Sequence, residues 1–359
     1  MLHAMIMAGG GGTRFWPRSR NRRPKQFLTF AGDRTLLQGT LDRISAQVPS
    51  SRTWVITGEP HVDEARNQLP ELPGDQIVGE PFGRDTAACI GLGAALIAQA
   101  DPAATMIVMP ADHVIEPVRE FERAVHAAEQ FADDHQNALL TFGIPPTFPS
   151  TGYGYIHRGE PIGQRQGVTA STVKAFKEKP SADVAEQFLV SGEFLWNSGI
   201  FVWKAVTILA ELRLQRPKLY AAIERIAEAW PTPNRMDVFR SEYESLEKIS
   251  IDFAVMEKAE KVLVIQAPYQ WDDVGSWLAL ERGNPQDAEG NTVQGLNVSI
   301  NTNNCVIVTD PGKLVATLGV KDLIIIQDGD CTLVTDRKDE SNVKLIVDQL
   351  KKRGLEKYL

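Results

Sequence analysis

The chain has 359 residues, 43% of them hydrophobic and 23% charged, which is the composition of an ordinary globular protein. At roughly 100 to 200 residues per domain, that length suits one large domain and a smaller one. With 38 Lys and Arg against 46 Asp and Glu, the net charge of -8 repels a phosphate backbone over most of the surface and disfavours a nucleic-acid partner.

No segment approaches the ~20 apolar residues that span a bilayer, so no membrane association is expected. The short apolar run at the N-terminus has no preceding cations and ends at once in Gly9 to Gly12, unlike a secretory signal. Cytoplasmic location is expected by default. The three cysteines, Cys89, Cys305 and Cys331, are widely spaced and read as reduced, mostly buried thiols.

Up to about residue 145, the short runs AMIMA, TWVIT, MIVMPAD and ALLTFGI alternate with helical periodicity over 35–47, 86–100 and 118–133. Repeated βαβ units of this kind indicate an α/β, doubly wound sheet. From about 150 to 285 the pattern is mixed, with the aromatic-rich strand FLWNSGIFVW and a helical stretch from Val206 to Trp230 ended by Pro231. This part completes the same domain, 1–285, as a substrate-binding half. Beyond it, NTVQGLNVSI, CVIVTD, KLVATLG, LIIIQDGD and CTLVTD are short strands between Gly, Asn and Asp turns, and a helix over about Asn342 to Arg353 follows. Residues 286–359 therefore read as a small β-rich domain whose strand spacing suggests coils of a β-helix.

The first strand runs into MAGGGGTRFWPRSRNRRPKQF, a glycine-rich turn at the sheet edge where α/β proteins bind ligands. Glycines there let backbone amides approach phosphate oxygens. Neither GxxxxGK(S/T) nor GxGxxG is present, which leaves an ordinary NTPase or a nicotinamide dehydrogenase unsupported. Six cations, Arg14, Arg18, Arg20, Arg22, Arg23 and Lys25, occur in this stretch with no carboxylate, and suggest a local anion site. Arg14 and Lys25 beside exposed amides make a polyphosphate cradle.

GGGGTRFWPRSR followed by PKQF resembles the signature of the sugar-1-phosphate nucleotidyltransferases, and its PKQ form is similar to the mannose-1-phosphate guanylyltransferases. The resemblance implies a Rossmann-like mixed sheet with a β-helix-like C-terminal domain. It also implies that backbone around Ala8, Gly9, Gly10, Gly12 and Thr13 holds the nucleotide while Arg14 and Lys25 contact the triphosphate and the departing pyrophosphate.

Downstream, GEPFGRDTAACIGLGAA places Glu80 and Pro81 after a strand and Asp85 and Thr86 at the mouth of an apolar helix, where a helix cap alone would account for them. The resemblance assigns these four residues to guanine and ribose, with Asp85 standing where Asn is usual. Asp112 of MIVMPADH reads equally as a turn residue or, at a strand end opposite a phosphate loop, as a ligand for a divalent ion. In the family it holds magnesium jointly with the last Asp of WDDVGSW, here Asp273. His113 reads as a structural residue. Alone, KEKP is a solvated charge cluster and WNSGIF a buried strand, with Trp196, Phe201 and Trp203 in the core; against the family, Gly154, Glu178 and Asn197 meet sugar hydroxyls and Lys179 the sugar phosphate. DFAVMEKA, from Asp252, resembles a further family segment but reads mostly as helical core.

The expected activity is transfer of GMP from GTP to mannose 1-phosphate, with Mg2+ as cofactor and no Ser, Cys or His nucleophile. Two alternatives stand beside it: a guanylyltransferase for another sugar phosphate such as a heptose, and a catalytically silent nucleotide-sugar sensor. The sensor predicts loss of a phosphate cation or metal carboxylate, and Arg14, Lys25, Asp112 and Asp273 are all intact. No cupin-like extension follows, which disfavours the bifunctional isomerising type. Open β-helical edges make a homodimer the expected assembly.

Overall fold

The computed structural model describes residues 1–30 and 32–359. They form two compact units: Met1–Gly9, Thr40–Ala111 and Ile115–Trp271 in the first, and Gly10–Gly39, Asp112–Val114 and Asp272–Leu359 in the second.

The first unit is built on a nine-stranded sheet. Its strands are β1 (Leu2–Ala8), β2 (Thr53–Gly58), β3 (Ile77–Glu80), β4 (Thr105–Pro110), β5 (Leu139–Ile144), β6 (Tyr155–Arg165), β7 (Val168–Lys177), β8 (Phe194–Lys204) and β9 (Val262–Gln266). They lie in the order β3-β2-β1-β4-β8-β5-β9-β7-β6. The first four strands are parallel, β8 runs antiparallel to both β4 and β5, and β9 is parallel to β5. The sheet is thus mixed, as expected.

Both faces are covered, which is why the central strands read as continuous apolar runs. Met5, Met106 and Val108 join one core with helix α3 (Asp85–Ala100) and with α6 (Ala205–Gln215), α7 (Pro217–Ala229) and α8 (Arg235–Glu244). Every residue of α3 from Ala87 to Ile97 is buried, so this helix is apolar all round and runs through the core. On the other face α4 (Val118–Asp134) buries one stripe that includes Phe121, Val125, Ala128 and Phe131, and Phe121 meets Phe142 of β5 at 6.4 Å. Between these elements run α1 (Leu36–Ser45), α2 (Val62–Gln68) and α5 (Ala182–Ser191).

One expectation is corrected here. The stretch Val206 to Trp230 is two helices, because Pro217 lacks an amide hydrogen and begins α7 instead of continuing α6. The hairpin β6–β7 also went unrecognised, although Gln166 and Gly167 both have positive φ, at 52° and 72°, as a two-residue turn of a twisted hairpin requires.

In the second unit, β10 (Thr292–Gln294), β12 (Val306–Thr309) and β14 (Leu323–Asp328) stack in parallel, and β11 (Asn297–Ile300) pairs in parallel with β13 (Val315–Leu318). Each strand meets its equivalent one coil later, the geometry of the β-helix suggested by the spacing. An antiparallel strand, β15 (Cys331–Asp336), and the helix α9 (Val343–Lys352) follow. Val306, Val308, Ile324, Ile326, Val343 and Val347 share one core with Phe15, Trp16, Leu28 and Phe30 from the segment after the glycine turn, and with Trp277. Phe15 lies edge-on to Phe30 at 4.8 Å and to Trp277 at 5.2 Å, and the Trp16 indole donates to the Tyr358 carbonyl at 2.8 Å.

Trp277 is fully buried in this aromatic group. Trp277→Ala is expected to cost ~3–5 kcal/mol through lost contact and the cavity left behind, seen as a lower urea midpoint at unchanged slope. A midpoint equal to that of the unaltered protein would show that the aromatic group does not hold the second unit together.

Candidate active site

In the second unit, Lys25 is 7% exposed. Its Nζ donates to Asp112 Oδ2 at 2.7 Å and to the Asp273 carbonyl oxygen at 2.5 Å, so one ammonium joins the PKQF, PADH and WDDVGSW segments. Gly12 makes this approach possible. Its φ is 54°, and a Cβ there would lie 2.6 Å from Lys25 Cβ and 2.8 Å from Lys25 N. Arg14 is exposed, and its guanidinium donates to the Gly275 carbonyl at 3.1 Å. Thr13, Arg14, Lys25, Asp112, His113 and Asp273 line one cavity of about 280 Å³. Burial works to raise the Asp112 pKa, but the Lys25 ammonium, followed by His113, outweighs it and holds this carboxyl below its ordinary value.

The cluster of six cations is not one anion site. Arg18 and Arg20 turn to the β-helix, where Arg20 pairs with Asp330 at 2.7 Å and donates to the Asp328 carbonyl at 3.3 Å, while Arg18 donates to Gln294 at 3.5 Å and lies 3.9 Å from Asp328. These two arginines tie the loop to acidic turns about three hundred positions away, which no local reading reveals. Arg22 and Arg23 are exposed.

In the first unit, Ala8 ends β1 and its carbonyl accepts from Thr57 Oγ1 at 2.8 Å, with Gly9 exposed beyond it and Gly10 opening the second unit at φ 93°. Glu80 ends β3 and is buried, accepting a short hydrogen bond from the Tyr243 hydroxyl. Burial pushes its carboxyl from 4.5 up to about 7, against the Tyr243 hydrogen bond, and Asp85 adds to the rise. Pro81 is half-buried. Asp85 is exposed at φ 66°, a left-handed conformation that Asp tolerates better than most residues, and its Oδ1 accepts from the Thr86 amide at 2.8 Å. Thr86 Oγ1 accepts from the Ile251 amide at 2.8 Å, so its hydroxyl ties two segments together and caps no helix turn. Arg84 binds the carbonyls of Tyr243 and Glu244, strapping the end of α8 to the same loop.

The four residues expected around the sugar also gather in the first unit. The Gly154 carbonyl accepts from the Asn197 amide at 2.8 Å, and a Cβ on Gly154 would collide with Glu178 Oε2. Glu178 is half-buried and pairs with the exposed Lys179 at 3.0 Å. Asn197 donates through Nδ2 to Asp252 Oδ1 at 2.9 Å, and its Oδ1 lies 3.1 Å from Thr141 Oγ1. Asp252 and Thr141 were not among the expected site residues. DFAVM folds as a short helical turn, so its pattern resembles core, and only the spatial neighbour Asn197 reveals the polar face.

Comparison with known proteins places the chain in a family. Residues 3–290 match the nucleotidyl transferase family and residues 295–350 the MannoseP isomerase/GMP-like beta-helix domain. The mannose-1-phosphate guanylyltransferase of Escherichia coli K12 is 39% identical over 98% of this chain and 74% of its own length. A putative mannose-1-phosphate guanylyltransferase of Vibrio cholerae serotype O1 is 38% identical, over 100% of this chain and 76% of its own. The chain belongs to the mannose-1-phosphate guanylyltransferase family. A solved structure from Thermus thermophilus, described as mannose-1-phosphate geranyltransferase, superposes with a TM-score of 0.86 at 35% identity, covering 98% of this chain and 99% of that one. Membership of the guanylyltransferase family makes this chain a nucleotidyltransferase, joined to the β-helical domain that residues 295–350 match.

The raised Glu80 pKa makes a prediction about this guanylyltransferase-family fold. Its folded value of about 7 exceeds the ordinary 4.5, so the stability Glu80 contributes is fully present below pH 4.5 and is lost as pH rises through 7. Glu80→Gln, uncharged throughout, is therefore expected to gain in Tm relative to the unaltered protein as pH climbs from 4.5 to above 7. A Tm difference independent of pH would show that Glu80 titrates normally.

Proposed function

We propose that the chain transfers GMP from GTP to mannose 1-phosphate, giving GDP-mannose and pyrophosphate by direct in-line attack. The observation that carries this reading is the single cavity in which two cations, Arg14 and Lys25, face two carboxylates, Asp112 and Asp273. Such a set suits a polyphosphate with a divalent cation. The names of the relatives in Escherichia coli and Vibrio cholerae support the choice of substrates.

In this reading, Ala8, Gly9, Gly10, Gly12 and Thr13 hold the nucleotide, and Glu80, Pro81, Asp85 and Thr86 meet guanine and ribose. Gly154, Glu178 and Asn197 meet the sugar hydroxyls. An oxygen of the sugar phosphate bonds to the α-phosphorus as the bond from that phosphorus to the β-phosphate oxygen breaks, and the electron pair leaves with pyrophosphate. Arg14 and Lys25 receive the charge that develops on the leaving side, and Lys179 steers the incoming monophosphate. The reaction needs no covalent intermediate.

Magnesium fits the donor set. Asp112 and Asp273 offer hard anionic oxygens to one space, and Asp112 is held in its charged form. Among the described residues no group of three or more His, Cys, Asp or Glu forms a protein cage, which agrees with an ion bound by one or two carboxylates plus water and substrate phosphates. Bound there by Asp112 and Asp273, magnesium would neutralise phosphate charge.

The proposed organisation is a catalytic segment 1–285 followed by a β-rich segment 286–359. No helix among the described residues is long and apolar enough to cross a membrane. Free thiols and GTP as a substrate favour a cytoplasmic setting. Val298, Ile300 and Leu318 stand exposed on the paired strands β11 and β13, which supports a homodimer.

The test is pyrophosphate release with magnesium across a matrix of nucleotides against mannose, glucose and heptose 1-phosphates. Release is expected with GTP and mannose 1-phosphate; another active pair would change the substrates, and silence together with tight GDP-mannose binding would favour a sensor. Lys25→Ala and Asp273→Ala, with unchanged circular dichroism, are each expected to lower turnover by ~10²–10³. Near-normal turnover in either variant would remove its assigned role.

A further inference from the structure

The side chain of Asn197 is oriented by its surroundings. The Gly199 amide, which can only donate, lies 3.3 Å from Asn197 Oδ1, and Thr141 Oγ1 lies 3.1 Å from the same oxygen. The remaining atom, Nδ2, gives one hydrogen to Asp252 Oδ1 at 2.9 Å. Thr141 Oγ1 lies 3.1 Å from the Ile200 carbonyl as well. One amide hydrogen is left without a partner among the described residues, so Asn197 offers a ligand a donor.

Acceptors are supplied by two half-buried carboxylates beside it. Glu178 stands against Gly154, whose carbonyl takes the Asn197 backbone amide, and its charge bears directly on Asp252. The group thus combines one fixed donor with two acceptors, the pattern that matches neighbouring hydroxyl groups. Each hydroxyl donates to a carboxylate, and one of their oxygens accepts from the amide.

We propose that Asp252 is a positioning and specificity-determining residue of the sugar-binding group: it fixes Asn197 as a donor and, with Glu178, selects a ligand presenting neighbouring hydroxyls. This rests on the reading that Gly154, Glu178 and Asn197 meet the sugar. Lost hydration, and then the Glu178 charge, push the Asp252 carboxyl from 3.8 up to about 7; Asn197 and Lys179 oppose them. The charged side chains acting on it are Glu178 and, with opposite sign, Lys179, and Arg216 donates to the next residue's carbonyl, that of Phe253, at 3.3 Å. The proposed anchor is therefore strongest above pH 7, where Asp252 is charged.

The experiment measures KM for mannose 1-phosphate and for GTP, and kcat, from pH 5.5 to 8.5 for the unaltered protein, Asp252→Asn, Asp252→Ala and Asn197→Ala. Asp252→Ala is expected to raise the sugar-phosphate KM by about tenfold to a hundredfold, the order of one hydrogen bond to a charged group, with the GTP KM unchanged. Asp252→Asn keeps an acceptor for Asn197 but cannot ionise. The ratio of its KM to that of the unaltered protein cancels the ionisation of the sugar phosphate, and is expected to climb as pH rises through about 7. If Asn197→Ala raises the sugar-phosphate KM and Asp252→Ala does not, the proposal is overturned while the sugar reading stands. If Asn197→Ala also leaves that KM unchanged, the sugar reading fails and takes the proposal with it. Should Asp252→Ala not fold, a KM ratio for Asp252→Asn that is flat with pH overturns the proposal alone.

Discussion

A lysine ammonium removed from water costs several kcal/mol unless acceptors replace its hydration. In the second unit the Lys25 side chain is largely buried, and acceptors for its ammonium come from Asp112 and Asp273, 87 and 248 positions away. Displacing either acceptor leaves a largely buried cation one partner short, so the ammonium holds three distant segments to one another. Gly12, packed against Lys25, binds the glycine turn to the same arrangement. The groups proposed to meet phosphate are therefore also the groups that hold this unit's loops in place.

Asp112 is tuned in the opposite direction from Glu80 and Asp252. Asp112 faces cations and stays charged, as a ligand for a hard metal ion must. Glu80 and Asp252 lie where water is scarce and negative neighbours are close, and both are pushed up to about 7. Groups poised near neutrality are suited to hydrogen bonding with hydroxyl and amide partners, which agrees with the base and sugar roles proposed for those segments. The division follows from neighbours, since all three are ordinary acids in an extended chain.

What was legible in the sequence was local. Apolar runs located the central strands, the β-helix announced itself by its strand spacing, and the long motif around Arg14 and Lys25 carried the family. What was hidden was pairing across distance. Nothing near Arg18 or Arg20 signals Asp328 and Asp330, and Tyr243 lies 163 positions from the Glu80 it binds. Asp252 was visible as a residue, but its helical surroundings concealed that it faces Asn197. The break between α6 and α7 was legible and was missed: Pro217 marks it as plainly as Pro231 marks the later end.

The aromatic core of the second unit also bears on how the protein is made. Phe15 and Trp16 leave the ribosome long before the residues that cover them, Trp277 and the coils of the β-helix, and the Trp16 indole finds its acceptor 342 positions later. Such contacts, among the longest in sequence separation that the chain contains, close slowly because loop entropy must be overcome before they form. The glycine loop therefore stays unfinished until those residues have been made, with two large aromatic side chains exposed to chaperones and to other nascent chains. Nucleotide binding in this protein is expected to appear abruptly during translation, once the β-helix has emerged, although the loop itself is synthesised long before it.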